Sequence, residues 1–157
     1  MKHPSASVRR NALHVIPRTE AALNAVLAAG SIKDQDAQVR LAAFLALAEM
    51  PQSAVAATAL LDALNDTVNT GDSWIPDAIT SAAAAHDVPF LKGMMEKKFA
   101  ASPEKKTLDL VARIAEHYSR AKPETVATLI SSLGGANAKI QESVLAGMAK
   151  GLSLIHI

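Results

Sequence analysis

Apolar residues recur along this chain with the spacing of one face of a helix. Four segments open alike, with a bulky apolar residue followed four and five positions later by a small residue and then a larger one. The opening residues, which we call anchors, are Val8, Val39, Trp74 and Ile140. In the second segment the larger residue is Phe44, which we expect to join the core. Because the first three anchors are 31 and 35 residues apart, the pattern predicts repeated pairs of helices, with a further copy near residues 104–115.

Proline, glycine and short polar residues mark where these helices are expected to begin and end. The second copy is the clearest, because Asp36 can cap a helix that continues to Met50 and Pro51 ends it. The stretch from Asn65 to Gly71 is expected to be a long polar connection. The same signals predict helices over about residues 5–16, 19–29, 36–50, 53–64, 73–85, 88–99, 123–134 and 137–150, and one that begins near 104.

This pattern predicts an all-α chain folded as a right-handed solenoid of about four and a half helix pairs. Hydrophobic residues make up 50% of the chain and aromatic residues 3%, so alanine and leucine should fill the core and let helices approach closely. We expect residues 1–151 to form this array and residues 152–157 to be a scar from a sequencing adapter. Polar capping repeats are missing from the pattern, so we expect a fragment of a longer array.

Charge and cysteine content restrict the possible chemistry. The 16 basic and 15 acidic residues nearly cancel, so we expect no nucleic-acid partner. A local excess of lysine between residues 92 and 106 is more typical of a solvated turn than of a nucleic-acid site. The chain has no cysteine, which excludes disulfides, thiolate metal sites and covalent haem attachment within it. No apolar run approaches the roughly 20 residues of a membrane span, so none is predicted.

Individual residues that could bind a metal or a ligand are better explained by structural roles. The five histidines never lie three or four residues apart, so no metal site is predicted. His86 precedes Asp87 at a helix end, and we expect its replacement to change stability by less than about 0.5 kcal/mol. Trp74 stands at an anchor position, where core packing is expected rather than an exposed aromatic platform. We therefore predict no catalytic, cofactor-binding or metal-binding residue, and no enzyme activity for this chain.

The second copy, Asp36-Ala37-Gln38-Val39-Arg40, resembles a HEAT repeat. Repeats of that family have an acid that caps the first helix and an arginine one turn later, and the two are thought to form a ladder between successive repeats. The resemblance implies that Asp36 is a cap and that Arg9 and Arg40 are ladder residues. These charges would then have structural roles.

Longer stretches resemble the helical region of bacterial haem-binding dehydrogenases of the planctomycete type. The stretches are His3 to Pro17, Asp36 to Pro51, Asp72 to Ala85, Phe90-Leu91 and Gln141 to Leu152. In those proteins a propeller-like dehydrogenase domain precedes the HEAT region and a c-type cytochrome domain follows it. The resemblance implies a spacer in a larger exported oxidoreductase of the periplasm. Haem c would then belong to a flanking domain, and this chain would hold no cofactor.

Several functions stay open at this point. The favoured one is a non-catalytic scaffold or protein-interaction module, whose partners by resemblance are the flanking domains of the same parent chain. The alternatives are a stand-alone adaptor, a HEAT-type lyase that acts on bound tetrapyrrole chromophores and, less favoured, a nucleic-acid-binding protein. In a scaffold, second helices line a concave surface, and the predicted contact face consists of Thr125, Thr128 and Ser132. The residues alone do not specify a compartment.

Overall fold

A computed structural model describes residues 2–96, 103–134 and 137–153. Over these ranges the chain has ten α-helices, two short 3-10 helices and no β-strand. The all-α prediction is therefore confirmed for the described residues. The chain divides into two compact units, Met1–His86 and Asp87–Ile157.

The first unit is built around one central helix. Its helices are α1 (Ala6–Val15), α2 (Glu20–Ala28), α3 (Ala37–Ala48), α4 (Ala54–Ala63), α5 (Thr67–Thr70) and α6 (Ile75–Ala85). A 3-10 turn at Ser31–Lys33 separates α2 from α3. Helix α3 packs against both α1 and α6, and α4 packs against α2 and α6. Within this unit, the first helix of each predicted pair thus contacts the first helix of the next pair.

Local side-chain caps explain where several of these helices begin. The side-chain oxygens of Thr19 and Ser53 accept hydrogen bonds from first-turn N–H groups of α2 and α4. Asp36 Oδ1 accepts the N–H groups of Gln38 and Val39 at 2.9 and 3.1 Å, which confirms the predicted cap of α3. The connection expected to be irregular contains the short helix α5, since Asp66 caps it in the same way.

Small side chains fill the interface between α3 and its neighbours. The buried apolar residues of α3 are Val39, Ala42, Ala43, Phe44, Ala46 and Leu47. Those of α6 are Ile75, Ala78, Ile79, Ala82 and Ala83. Each buried residue of α6 lies 36 positions after a buried residue of α3. The two helices therefore bury the same face in the same register.

This register corrects two of the predicted core positions. Val39, Phe44 and Ile140 are buried, in agreement with their assignment to the core. Trp74 is 68% exposed, because the buried stripe of α6 begins one residue later than predicted and Trp74 precedes the helix. Val8 is 46% exposed, because α1 buries only a narrow stripe, in which Leu13 is the buried residue.

The second unit is dominated by one helix pair. Its elements are α7 (Asp87–Glu96), α8 (Lys105–Ala121), a 3-10 turn (Pro123–Thr125), α9 (Val126–Ser131) and α10 (Ala138–Ser153). Helices α8 and α10 form its largest contact, and α7 packs against both. Helix α10 continues across the predicted boundary between residues 151 and 152 as far as Ser153, whereas residues 154–157 lie outside the described residues.

Two glycines allow α8 and α10 to approach closely. A Cβ atom at Gly147 would overlap the carbonyl oxygen of Ala112, and one at Gly151 would overlap Ser119 Oγ. Ser119 Oγ also donates a hydrogen bond to the carbonyl oxygen of Met148 at 3.2 Å, which links the two helices. The contact is therefore made largely by backbone, and it requires the absence of a side chain at both glycines.

We expect Gly147→Ala to lower the free energy of unfolding by about 1 to 3 kcal/mol, because the backbone of α8 must move away from the new methyl group. This loss should exceed the gain of about 1 kcal/mol that alanine normally brings to a helix. Urea unfolding followed by circular dichroism measures the change. The control is Ala149→Ser at an exposed position of the same helix, which should change stability by about 0.5 kcal/mol or less. A Gly147→Ala variant as stable as the wild type would contradict this packing.

His86 is a buried connector in the first unit and not a surface residue. Its ring is 0% exposed, Nδ1 accepts the N–H of Ser53 at 3.1 Å, and Nε2 lies 3.1 Å from the carbonyl oxygen of Leu47. Since a carbonyl oxygen can only accept, Nε2 carries the proton. The ring thus joins the end of α3 to the start of α4, so we now expect its replacement to cost stability, in contrast to the expectation from the sequence.

We expect His86→Ala to destabilise the first unit by about 2 to 4 kcal/mol, because it leaves a cavity and removes the acceptor of the Ser53 N–H. His14→Ala is the matched control, since His14 is exposed on α1 and its loss should cost about 0.5 kcal/mol or less. Chemical unfolding of both variants measures the difference. Similar stabilities for the two variants would show that the His86 contacts do not stabilise the unit.

Candidate functional site: a polar ladder and the face beside it

Arg9 and Asp34 form the first rung of a polar ladder in the first unit. Arg9 Nε and Nη2 donate to the two carboxylate oxygens of Asp34, each at 2.7 Å. The remaining nitrogen, Nη1, donates to the carbonyl oxygens of His3 and Pro4 at 2.7 and 3.0 Å. Two parallel hydrogen bonds fix both distance and orientation. This rung therefore sets the position of α1 relative to the segment that leads into α3.

Arg40 and Asn69 form the second rung. Arg40 is 6% exposed, and its Nε donates to Asn69 Oδ1 at 2.9 Å. Its Nη1 donates to the carbonyl oxygen of Asp34 at 2.7 Å, so the second rung contacts the first. Asn69 is also buried and donates from Nδ2 to the carbonyl oxygen of Ala63 at 3.2 Å. The rung thus connects α3 to the segment between α4 and α6.

The structure changes the expected partners of the ladder arginines. Arg9 and Arg40 do link successive helices, but Arg9 pairs with Asp34 and not with the capping residue Asp36. Sequence reasoning missed both Asp34 and Asn69 as ladder residues. Asn69 lies 35 positions after Asp34, close to the spacing of the repeats, and this spacing was the available signal.

Hydrogen bonding to the charged form stabilises the carboxylates of this region. The hydrogen bonds from Arg9 lower the pKa of Asp34, and the N–H of Asp36 adds to the effect, while burial opposes it. Backbone N–H groups of Trp74 and Ile75 lower the pKa of Asp72, and the charge of Arg40 contributes to this shift. Both carboxylates therefore stay ionised beside their cationic neighbours.

A second set of contacts joins the opposite ends of α1 and α3. Arg18 Nε donates to Glu49 Oε2 at 2.6 Å, and Arg18 Nη1 donates to the carbonyl oxygen of Ile16 at 2.9 Å. Arg18 follows α1 and Glu49 follows α3, so the two helices run in the same direction. His86, which follows α6, makes the corresponding contact to the end of α3. Helices α1 and α3 are thus linked at both ends, and α6 is linked to α3 at its C-terminal end.

The predicted contact face in the second unit is only partly available. Thr128 and Ser132 are exposed. Thr125 is half-buried, and its hydroxyl is bonded to Tyr118 Oη at 2.6 Å and to the carbonyl oxygen of Lys122 at 2.9 Å. We therefore remove Thr125 from the candidate contact residues, because its polar group holds the turn between α8 and α9.

Lys122 also fixes a buried carboxylate in the second unit. Its Nζ lies 3.0 Å from both side-chain oxygens of Asp87, whose side chain is 4% exposed. The same ammonium group stands 5.6 Å from the centre of the Tyr118 ring. Asp87 begins α7 and Lys122 directly follows α8, so the pair connects these two helices. This geometry indicates a structural role for the Asp87–Lys122 pair.

The remaining sequence candidates do not converge on a reactive site. Lys92, Lys105 and Lys106 are exposed, and Lys105 pairs with Asp109 at 2.6 Å, whereas Lys97 and Lys98 lie outside the described residues. Within the described ranges, no group of three or more His, Asp and Glu residues is placed to hold a metal ion. None of the helices described by the structure combines the length and the apolar character that a membrane crossing requires.

Comparison with known proteins assigns no family to this chain. No protein-family model matches it, and neither a curated protein nor a solved structure does. The resemblance to HEAT repeats and to haem-binding dehydrogenases therefore stays an expectation from the sequence.

The Arg9–Asp34 rung should give stability that depends on pH. The pKa of Asp34 is lower in the folded chain than the value of about 3.9 expected when unfolded, so the rung stabilises the fold fully above about pH 4. This contribution is lost as the pH falls through the folded pKa. Because solvent screens part of the interaction, we expect Asp34→Asn to cost about 1 kcal/mol at pH 7.

Urea unfolding of the wild type and of Asp34→Asn at pH 7, 5, 4 and 3 measures this dependence. The stability difference between the two proteins should shrink below pH 4. Glu20→Gln, an exposed change in α2, is the control for general effects of charge. A difference that is the same at all four pH values would contradict an ionic rung.

Proposed function

We propose that this chain is a non-catalytic scaffold, a HEAT-like helical array that holds proteins in fixed relative positions. The arrangement would be a right-handed solenoid of about four and a half helix pairs. The observation that carries the proposal is the repeated rung, in which Arg9 and then Arg40 link one helix layer to the next. The matching buried registers of α3 and α6 support the same conclusion.

Stiffness is the property that such a scaffold needs, and the first unit has contacts that provide it. Bonds at both ends of α1 and α3 oppose rotation or sliding of one helix along the other. Helix pairs that contact only their neighbours otherwise bend easily at each interface. Rungs and end contacts together therefore support a role in setting a distance between partners.

We propose more specifically that the chain is the spacer of a larger exported haem-binding dehydrogenase. This narrower proposal is supported by the resemblance of the stretches from His3 to Pro17 and from Asp36 to Pro51 to such proteins. Its partners would be the dehydrogenase and cytochrome domains of the same parent chain, in the periplasm. Haem c would be bound by the cytochrome domain, and this chain would supply the spacing between electron donor and acceptor.

Recovery of the complete parent gene tests the spacer. We expect the reading frame beyond codon 151 to encode a Cys-x-x-Cys-His segment, because that motif attaches haem c covalently. A complete gene without this motif would contradict the spacer but not the general scaffold. The non-catalytic proposal has a separate test, in which the purified chain is titrated with tetrapyrrole chromophores. Turnover or saturable stoichiometric binding in that titration would favour the lyase instead.

A further inference from the structure

The burial of α3 shows which positions of a helix its neighbours cover on each side. Val39 and Ala46 lie seven residues apart on one side of α3, and Phe44 lies on the other side, about 140° further around the helix. All three side chains are buried. Helix α3 packs against both α1 and α6, so both of its sides are covered. We call the side of Val39 the leading side and the side of Phe44 the trailing side.

Helix α6 contacts α3 with its leading side. Its leading positions, which lie 36 residues after those of α3, are Ile75 and Ala82, and both are buried. Thr80 is its trailing position and is half-buried. In this fold, the leading side of one helix therefore meets the trailing side of the helix before it.

Helix α1 is covered on its trailing side and exposed on its leading side. Its trailing position, 31 residues before Phe44, is Leu13, which is buried where α1 packs against α3. Its leading positions, 31 residues before those of α3, are Val8 and Val15. They are 46% and 81% exposed, whereas their counterparts on α3 are buried. The leading side of α1 is therefore an apolar surface without the cover that α3 receives.

Helix α10 shows the opposite pattern, with its trailing side exposed. Each of its buried residues lies 101 positions after a buried residue of α3 or after the buried Met50. On its leading side, Gly147 and Gly151 meet α8. Leu145 stands at the position of Phe44 but is 44% exposed. Ala149, one turn further along the same side, is also exposed.

We infer that the trailing side of α10 binds the leading side of α1 in a second copy of this chain. The two surfaces are the two halves of a contact that the fold already makes between α3 and α6. Leu145 would take the place of Phe44, and Val8 and Val15 would take the places of the leading residues of α6. Because one chain has both surfaces, a second copy is a partner of matching register. This inference rests on the proposed scaffold function and continues its helix stacking from one molecule to the next.

The contact joins two different surfaces, so it is heterologous and either repeats in series or closes into a ring. We expect it to be weak. Gln141 stands at the position of the ladder arginine Arg40, so the contact lacks an arginine rung. Asn11 and Glu142 lie where α3 has apolar residues, which reduces the apolar area. An interface of two helix sides lies at the small end of the known range, and we expect a dissociation constant of about 100 μM.

Sedimentation equilibrium of the purified chain tests the inference. Over a range of protein concentrations from about 5 to 500 μM, the average mass should rise above that of one chain. Added salt should change the association by about twofold or less, because the contact is mainly apolar and salt screens charges.

Matched variants locate the two surfaces. Val15→Lys and Leu145→Lys should each weaken self-association about tenfold or more, because each places an unpaired charge in the contact. An equimolar mixture of the two variants should again form pairs, since each variant keeps the surface that the other has lost. These pairs should not grow further. Val55→Lys, at an exposed valine of α4, is the control and should change the association by about twofold or less. Circular dichroism melts confirm that each variant is folded.

Several results would overturn the inference. One is a chain that stays monomeric at every concentration, and another is association that both lysine variants leave unchanged. A third is undiminished pairing of either variant with itself, which would show a symmetric contact between two α1 or two α10 helices. A mixture of the two variants that forms no pairs would also contradict it. Each of these results leaves the proposed scaffold function intact, because the parent gene and the chromophore titration test that function separately.

Discussion

The arrangement of the first unit depends on the burial of α3 between its neighbours. Three of its seven buried residues are alanines, and Phe44 supplies the one large ring. Alanine side chains allow neighbouring helices to approach closely, but they interdigitate weakly. Packing alone therefore defines poorly where each helix lies along the axis of its neighbour. Hydrogen bonds at the helix ends define it instead, through Arg9 with Asp34 and Arg18 with Glu49. Apolar burial stabilises this unit, and directional polar contacts select its register.

In the second unit, the register of the packed helices is set without a polar ladder. Gly147 and Gly151 bring the backbones of α8 and α10 into direct contact, where any added Cβ atom would overlap α8. This steric condition permits few relative positions of the two helices, and the hydrogen bond from Ser119 to Met148 selects among them. Glu116 adds ion pairs to Arg120 on its own helix and to Lys150 on α10. In this unit, steric fit determines the register of α8 and α10, and the ion pairs of Glu116 add to it.

The sequence predicted those features that depend on neighbours along the chain. The Asp36 cap and the helix that follows it were predictable, because the capping oxygen and the N–H groups it accepts lie within three residues. Trp74 was assigned to the wrong side because the structural spacing between α3 and α6 is 36 residues and not the 35 taken from the anchors, and one residue rotates a helix position by about 100°. His86 was misjudged because its partners lie 33 and 39 residues away. Asp34 and Asn69 were missed for the same reason.

Three of the four arginines in the first unit are bonded within the fold, and Arg10 is the exception among the described residues. Arg9, Arg18 and Arg40 each donate to one side chain and to at least one backbone carbonyl oxygen, so their charge is used within the fold. Arg10 has a buried donor and no such acceptor among the described residues. Polar contacts set the register of the helices in this unit. Arg10 makes none of these contacts, so the fold alone does not explain its buried donor.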